Sequence, residues 1–374
     1  MIWLYIIYYI IYLLIFIPTG KYFYNFIKKI TKVFKYNIEK TKVKYFVIIL
    51  ISSIIIVCSN PKNIGIMILI YLFLYCIIVD IIMLLIKKVK KNKKSKLDFI
   101  YNIGIIPITL TVITFIYGYW NINNIIETKY KIYTEKELSQ NYNVILISDL
   151  HFGLNMNISK LEKYAKEIAK QNPDFIILGG DIVDENTKKE DIAQVFEILG
   201  NIKNKYGIFF IFGNHDKSLN KILNLSYTEE ELKKAISDAN IEILEDEIFM
   251  INNEITLIGR TDASFSKNIP RLSSEDFMKN LNKDNFLMII DHQPIDIIEN
   301  ANLGYDLQLS GHTHGGQIFP IGLIDRIFKI NEMNYGYKKI KDYQIIVSSG
   351  MSGWGYPFRT EKKSEYVTIS IENK

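Results

Sequence analysis

Cysteine is nearly absent: Cys58 and Cys76 are the only two in 374 residues, and both lie inside apolar runs. Two such residues supply neither a disulfide framework nor a zinc-knuckle spacing, and they read as small buried hydrophobes. Arginine is missing from residues 1–124, and acids almost are. Sixteen lysines there face only Glu39, Asp80 and Asp98, a balance of +13. The whole chain carries +5, which leaves −8 for residues 125–374. The basic character therefore belongs to the N-terminal part alone. The acidic remainder lacks the clustered cations that binding along a nucleic-acid backbone requires, so nucleic acid is not expected as a partner.

What the N-terminal part has instead is long uncharged runs. They cover about 2–18, 44–60, 64–86 and 98–120, and spanning hydrocarbon takes roughly 20 apolar residues. The first run has no basic segment before it and no small-residue cleavage site after it, which argues against a signal peptide. Four spans are expected, making residues 1–124 a transmembrane region in contact with the lipid bilayer. Eight lysines fall between Lys21 and Lys44 and seven between Lys87 and Lys96, whereas the Ser59–Asn63 turn holds only Lys62. Lysine-rich loops stay cytoplasmic. The chain is thus expected to be a multi-pass cell-membrane protein with everything after Trp120 on the outer side. Asp80 sits within the third run with no basic partner in the other spans, and no function is assigned to it.

Residues 125–142 read as a linker. From Asn143 to residue 374 the pattern is of short β-branched runs ending in polar clusters, with helices between them. Val144–Ile147, Phe175–Leu178 and Ile208–Phe212 have strand character. Ser159 and Glu162 have capping-box spacing, and Leu161, Tyr164, Ala165 and Ile168 recur with helical period. Further helices are expected at about 188–199 and 228–239, followed mostly by strands. Alternation of this kind implies α/β layers with a largely parallel sheet, in which chemistry collects beyond the carboxyl ends of strands.

All five histidines of the chain, 151, 215, 292, 312 and 314, fall in polar clusters at the ends of strand-like runs. A lone histidine in such a place is more often structural, but five of five is hard to explain that way. The clusters are Asp149-x-His151, Gly180-Asp181, Gly213-Asn214-His215-Asp216, His292 and Gly311-His312-Thr313-His314. They offer two carboxylates, an amide oxygen and four imidazoles, with one imidazole left over. Oxygen and nitrogen donors without thiolate suit Mn²⁺, Fe²⁺ or Zn²⁺. Residues two apart in extended chain project to one side, so each i, i+2 pair reaches into one cleft. Two ions about 4 Å apart can hold both the attacking and the phosphoryl oxygens of a phosphoester, and Asp181 on its glycine turn can bridge them. Their charge lets an acidic domain accept an anionic substrate.

These motifs, in this order, resemble the calcineurin-like metallophosphoesterases. The longer run Gly311-His312-Thr313-His314-Gly315-Gly316-Gln317 and the late Ser349-Gly350…Pro357-x-Arg359 are similar to the bacterial membrane-associated branch. The resemblance covers about residues 143–371, and no ligand of its pattern is missing. It implies a four-layer α/β sandwich with a dinuclear centre of two divalent ions (Mn, Fe or Zn). Asp149, His151 and His314 would hold the first metal, and Asn214, His292 and His312 the second, with Asp181 between them. His215 would face the substrate as general acid or as stabiliser of the transition state, and Asp216 would orient His215. Arg359 is a candidate phosphate contact, and Asp184 reads equally as a turn residue.

The expected activity is metal-dependent hydrolysis of a phosphomonoester or phosphodiester, with membrane anchoring pointing to a lipid headgroup or envelope precursor. An odd number of spans would instead face the domain to the cytosol and suit a UDP-acyl-sugar pyrophosphatase. A non-catalytic, metal-stabilised sensor or scaffold is the third class, but such proteins usually lose a ligand or the spare histidine.

Overall fold

Strands in which every residue is buried set the plan of the C-terminal part. The computed structural model describes residues 20–36, 38, 64–89, 96–217, 224–266 and 270–374. The chain divides into two compact units, Met1–Tyr117 and Gly118–Lys374.

The described helices of the N-terminal region are α1 (20–33), α2 (Ile64–Val89), α3 (Lys96–Asn102) and α4 (Ile105–Asn123). Among the described residues, α2 and α4 are long and apolar enough to cross a membrane. The runs expected to span at 2–18 and 44–60 lie outside the described residues. The run expected to span continuously over 98–120 is instead two helices. Gly104, at φ +67°, ends α3 in the left-handed conformation that a residue without Cβ adopts freely, and uniform apolarity conceals that break. Helix α1 occupies part of the stretch expected to be a lysine-rich loop, and this supplies Asp80 with the partner it lacked. Lys29 Nζ donates to Asp80 at 2.9 Å, Tyr101 Oη donates at 2.6 Å, and Tyr22 Oη donates too.

In the second unit, β1 (Ile126–Thr134), β2 (Tyr142–Ile147), β3 (Phe175–Leu178), β4 (Ile208–Phe210) and β5 (Glu242–Ile243) join the final strand, β12 (Glu365–Asn373). Their order is β1-β12-β2-β3-β4-β5. The other sheet holds β6 (Glu247–Ile251), β7 (Ile255–Gly259), β8 (Phe286–Ile290), β9 (Leu307–Ser310), β10 (Gly336–Ile340) and β11 (Tyr343–Val347), in the order β10-β11-β9-β8-β7-β6. Both sheets are mixed: β2 to β5 run parallel with β12 antiparallel to β2, while β7, β8, β9 and β11 run parallel between antiparallel edges.

Side chains alternate across a strand, and the central strands β2, β3, β8 and β9 are buried on both faces. Val144 and Leu146 of β2, Phe175 and Ile177 of β3, Met288 of β8 and Leu309 of β9 meet in the core between the sheets. Ile145, Ile147, Ile176 and Leu178 face the other way, onto helices α5 (Ile158–Ala169), α6 (Lys189–Gly200) and α7 (Glu229–Asp238). Leu287, Ile289 and Ile345 cover the second sheet's outer side with α8 (Ser274–Met278) and α9 (Ile297–Leu303). Leu161, Tyr164, Ala165 and Ile168 form the buried stripe of α5, each large one contributing about 1.5–3 kcal/mol by leaving water. That helix begins before the expected Ser159–Glu162 box, because Asn157 caps it by accepting from Lys160 N at 2.9 Å. At α7, Thr228 and Glu231 do form a reciprocal box.

The expected linker at 125–142 is not one. Its first part is β1, paired residue for residue with β12 from Ile126–Glu365 to Thr134–Asn373. Its alternation of Lys129 and Lys131 outward with Ile132 inward is an edge-strand pattern.

Candidate metal centre

Five strands end at one edge of the facing sheets, and the loops leaving them carry the site. Asp149 and His151 follow β2, Asp181 follows β3, and Asn214 and His215 follow β4. From the other sheet, His292 follows β8, while His312 and His314 follow β9. Chain reversal directly beyond a strand forces unusual backbone. Asp149, His151, Asp181, His312 and His314 all have positive φ, between 42° and 69°. Left-handed conformation costs a non-glycine residue of order 1 kcal/mol or more, so the surrounding packing must impose it. The loops also press together closely: a Cβ on Gly311 would lie 2.3 Å from Asp149 Oδ2.

Two donor groups result. Asp149, His151 and His314 form one, and Asp181, His292 and His312 the other, with the ligand atoms of each group within 4.8 Å of one another. Asp181 reaches both: its Oδ2 lies 3.1 Å from His292 Nε2 and 3.7 Å from His151 Nε2. Its Oδ1 accepts from His215 N at 2.7 Å. Asn214 joins the second group, with Oδ1 2.9 Å from His312 Nδ1.

The donor set fits cations. His151 Nδ1 is 2.9 Å from the buried carboxylate of Asp184, which commits that nitrogen as donor and leaves Nε2 with its lone pair facing inward. His292 Nδ1 lies 2.8 Å from Gly179 O, which does the same. Among the described residues His314 Nδ1 is buried without a hydrogen-bond partner, and His292 Nε2 faces the Asp181 carboxylate, an arrangement that is costly unless something else occupies the site. His151 Nε2 and His314 Nε2 point at each other across 3.2 Å. Burial opposes a charge on His292, yet Asp181 and Asp149 hold its pKa well above the usual value. For His314 burial dominates, and the neighbouring His151 and Arg359 add to it, so its pKa falls well below. Asp181 remains a carboxylate despite burial, because His292, His151 and His215 surround it. All this is the electrostatics of a cluster prepared for positive charge.

His215 is also in the cleft, but outside both groups. Its ring stands edge-on to His151 at 5.3 Å and tilts against Trp354 at 4.9 Å. Its Nδ1 is 3.3 Å from Glu185 Oε2, and Trp354 Nε1 donates to the other Glu185 oxygen at 3.1 Å. Burial raises the Glu185 carboxyl, but His215 and Trp354 pull it down to about 2.

Three expectations need correction here. Asp216 does not orient His215. Its carboxylate is spent on four backbone N–H groups, those of Asp181, Ile182, Val183 and Gly213, at 2.7–3.1 Å. It therefore ties the β3 and β4 loops together, and neighbours in a tight turn point apart. Arg359 is no phosphate contact, being fully buried and donating to the carbonyls of His314, Ser349 and Ser352. Asp184 is more than a turn residue, as its bond to His151 shows.

Glu185 and Trp354 went unread in the sequence. The signal for Trp354 lay in Gln317, whose Nε2 donates to the carbonyls of Trp354, Tyr356 and Phe358 at 3.1–3.2 Å. The last residue of the extended histidine motif thus sets the loop that reaches His215.

Residues 142–316 match the family model described as calcineurin-like phosphoesterase. An uncharacterized metallophosphoesterase of Campylobacter jejuni is 26% identical across 99% of this chain and 100% of its own length. Another, from Helicobacter pylori, is 30% identical over 64% of this chain and 62% of that protein. A zebrafish (Danio rerio) protein named as a transmembrane protein with metallophosphoesterase domain is 23% identical over 72% of this chain and 62% of its own. Residues 142–316 thus form a calcineurin-like phosphoesterase domain, and the chain as a whole is similar to proteins named as metallophosphoesterases.

Proposed function

We propose that the loops at this sheet edge form a dinuclear centre that hydrolyses phosphoesters presented at a membrane. The observation that carries the reading is that Asp181, a member of the second donor group, also reaches His151 of the first, with a histidine outside both groups beside them. Asp149, His151 and His314 would hold one divalent ion, and Asn214, His292 and His312 the other, with Asp181 placed to serve both. Bound there, such ions would supply Lewis-acid activation of the attacking water and of the phosphoryl oxygens.

The remaining roles belong to the protein. Asp184 and Gly179 O engage Nδ1 of His151 and His292, so that Nε2 of each is the atom left to meet a metal. Glu185 holds His215 Nδ1, leaving Nε2 to face the ester. As the P–O bond breaks, the proton on His215 Nε2 passes to the leaving oxygen, and the carboxylate at Nδ1 steadies the ring through that transfer. Trp354 packs on the ring and fixes its orientation.

For the membrane setting, support comes from the two apolar helices, the lysine bias of the N-terminal loops and the relatives named as transmembrane proteins. The reading is of a multi-pass protein whose catalytic domain faces outward.

The test compares metal content with turnover. Asp181→Asn should lose bound metal and all activity. His215→Ala should keep its metal and lose about 10²–10⁴ in rate on alkyl esters, with a much smaller defect on a nitrophenyl ester that departs unaided. Metal loss in His215→Ala, or an equal defect on both leaving groups, would remove the proton-donor role.

A further inference from the structure

The helix just beyond the last two histidines, α10 (Ile321–Phe328), is inverted for an element facing water. Its inward side is small and polar. Gly322 packs so tightly on the histidine turn that a Cβ on Gly316 would meet Gly322 Cα at 2.5 Å. Buried Asp325 accepts from Asn331 N at 2.8 Å and from the side chains of Asn331 and Asn334. Its outward side is apolar: Ile321, Ile324, Ile327 and Phe328 are exposed, as is Ile330 just after it, with Ile327 at 63% and Phe328 at 73%. Exposed aliphatic and aromatic residues clustered in this way mark a contact surface rather than a solvated one.

A groove of about 780 Å³ runs beside the helix, lined by Arg326, Lys329, Lys338 and Lys362 and reaching Gly315, the neighbour of His314. The groove's carboxylates are engaged within the fold. Glu332 accepts from the backbone of Asp296 and Ile297 at 3.0 and 3.1 Å, and Glu361 from Gly322 N at 2.8 Å. Lys329 and Lys338 stand in no ion pair among the described residues. An apolar stripe flanked by uncompensated cations is the chemistry of a helix lying in an anionic lipid surface. The chain itself brings such a surface near: α4 is apolar enough to cross a membrane, and two residues separate Asn123 from β1.

We infer that the outer face of α10 docks into the surface of the bilayer that carries this chain's own apolar helices. Lys329 and Lys338 meet anionic headgroups there, and the adjoining metal centre acts on a phosphoester of a lipid headgroup. The substrate class rests on the function proposed above, whereas the docking does not. The apolar face gives depth, the cations give preference for anionic lipid, and the rigid contact of Gly322 with Gly316 fixes the cleft at headgroup height.

The experiment uses the full chain with Cys58→Ser and Cys76→Ser, reconstituted in vesicles of phosphatidylglycerol and phosphatidylcholine containing spin-labelled lipid. A fluorophore is placed at Phe328→Cys or, as a control at the opposite ends of the strands, at Asp284→Cys. Lipid-borne quenching should be at least threefold stronger at position 328, and weaker in vesicles of phosphatidylcholine alone. Equal quenching at both positions overturns the docking, as does a label at 328 that cross-links to a second copy and is not quenched.

In the activity arm, Ile327→Asp/Phe328→Asp should lose at least tenfold on phosphatidic acid in the same vesicles and stay within twofold on p-nitrophenyl phosphate. Equal change on both, or none on phosphatidic acid, overturns the lipid-headgroup assignment. Absence of turnover on any ester by the unmodified chain would instead overturn the catalytic reading, and quenching would still decide the docking.

Discussion

Asp184→Asn separates holding a metal from holding the fold. Asp184 Oδ2 is 2.9 Å from His151 Nδ1, with both side chains fully buried, and Asp184 Oδ1 accepts from Asn186 N at 2.7 Å. Asparagine fills the same space and still offers an oxygen to Asn186 N. What it then turns toward His151 is an amide N–H₂, which can only donate. The proton of His151 must move to Nε2, the atom facing Asp149, Asp181 and His314, so a ligand lone pair is lost without any atom being removed. Carboxylate partners of this kind are worth roughly 10–100-fold in metal affinity, or about 1.4–2.7 kcal/mol. The inverted tautomer places this variant near the upper end, about 100-fold. The assay is titration of Mn²⁺ or Zn²⁺ into the metal-stripped full chain against a competing chelator, alongside a metal-free thermal melt. A weaker first site with an unchanged melt is the expected result. Affinity within twofold of the parent would refute the tautomer argument.

Two further outcomes are expected. Arg359→Lys should destabilise the domain by about 2–4 kcal/mol, read as a fall in Tm, because one ammonium cannot serve three carbonyls spread around a buried guanidinium. KM for a soluble ester should not move in the protein that remains folded, whereas a raised KM with unchanged Tm would restore Arg359 to the substrate. For orientation, alkaline phosphatase fused after Lys374 should be active, and a fluorescent reporter at the same place should be dark. The reverse pattern would turn the catalytic domain to the cytoplasm.

The metal-ligand candidates were legible in the sequence because coordination demands residue types that are rare here, and every histidine was spent in one kind of place. The strands carrying them were legible because residues such as Phe286–Ile290 are apolar throughout, as strands buried on both faces must be. What escaped was whatever depends on direction or on distant partners. Asp216 follows His215 in sequence, but in a turn this tight the two side chains diverge, and the acid at His215 comes from the β3 loop as Glu185. Arg359 read as a phosphate contact because nothing local reveals three waiting carbonyls. Strand β1 escaped because an edge strand with lysines on its outer face has the composition of a linker. Lys29 was counted among loop lysines, so its approach to Asp80 could not be foreseen.

That edge strand changes where the catalytic unit can be separated from the apolar helices before it. Asn121 donates to the carbonyls of Arg359 and Lys362 at 3.2 and 2.6 Å, and Ile122 is wholly enclosed. Nine residues of β1 then cover the flank of β12. Residues 118–123, the last part of α4, therefore belong to the same compact unit as the sheets. A fragment begun at Asn143, where the sequence suggests the domain starts, would bare nine residues of β12 backbone and invite edge-to-edge aggregation. A useful soluble fragment must begin no later than Gly118. For the same reason the stretch 118–134 is poor ground for a protease, and a domain anchored as proposed would not be shed by a cut there.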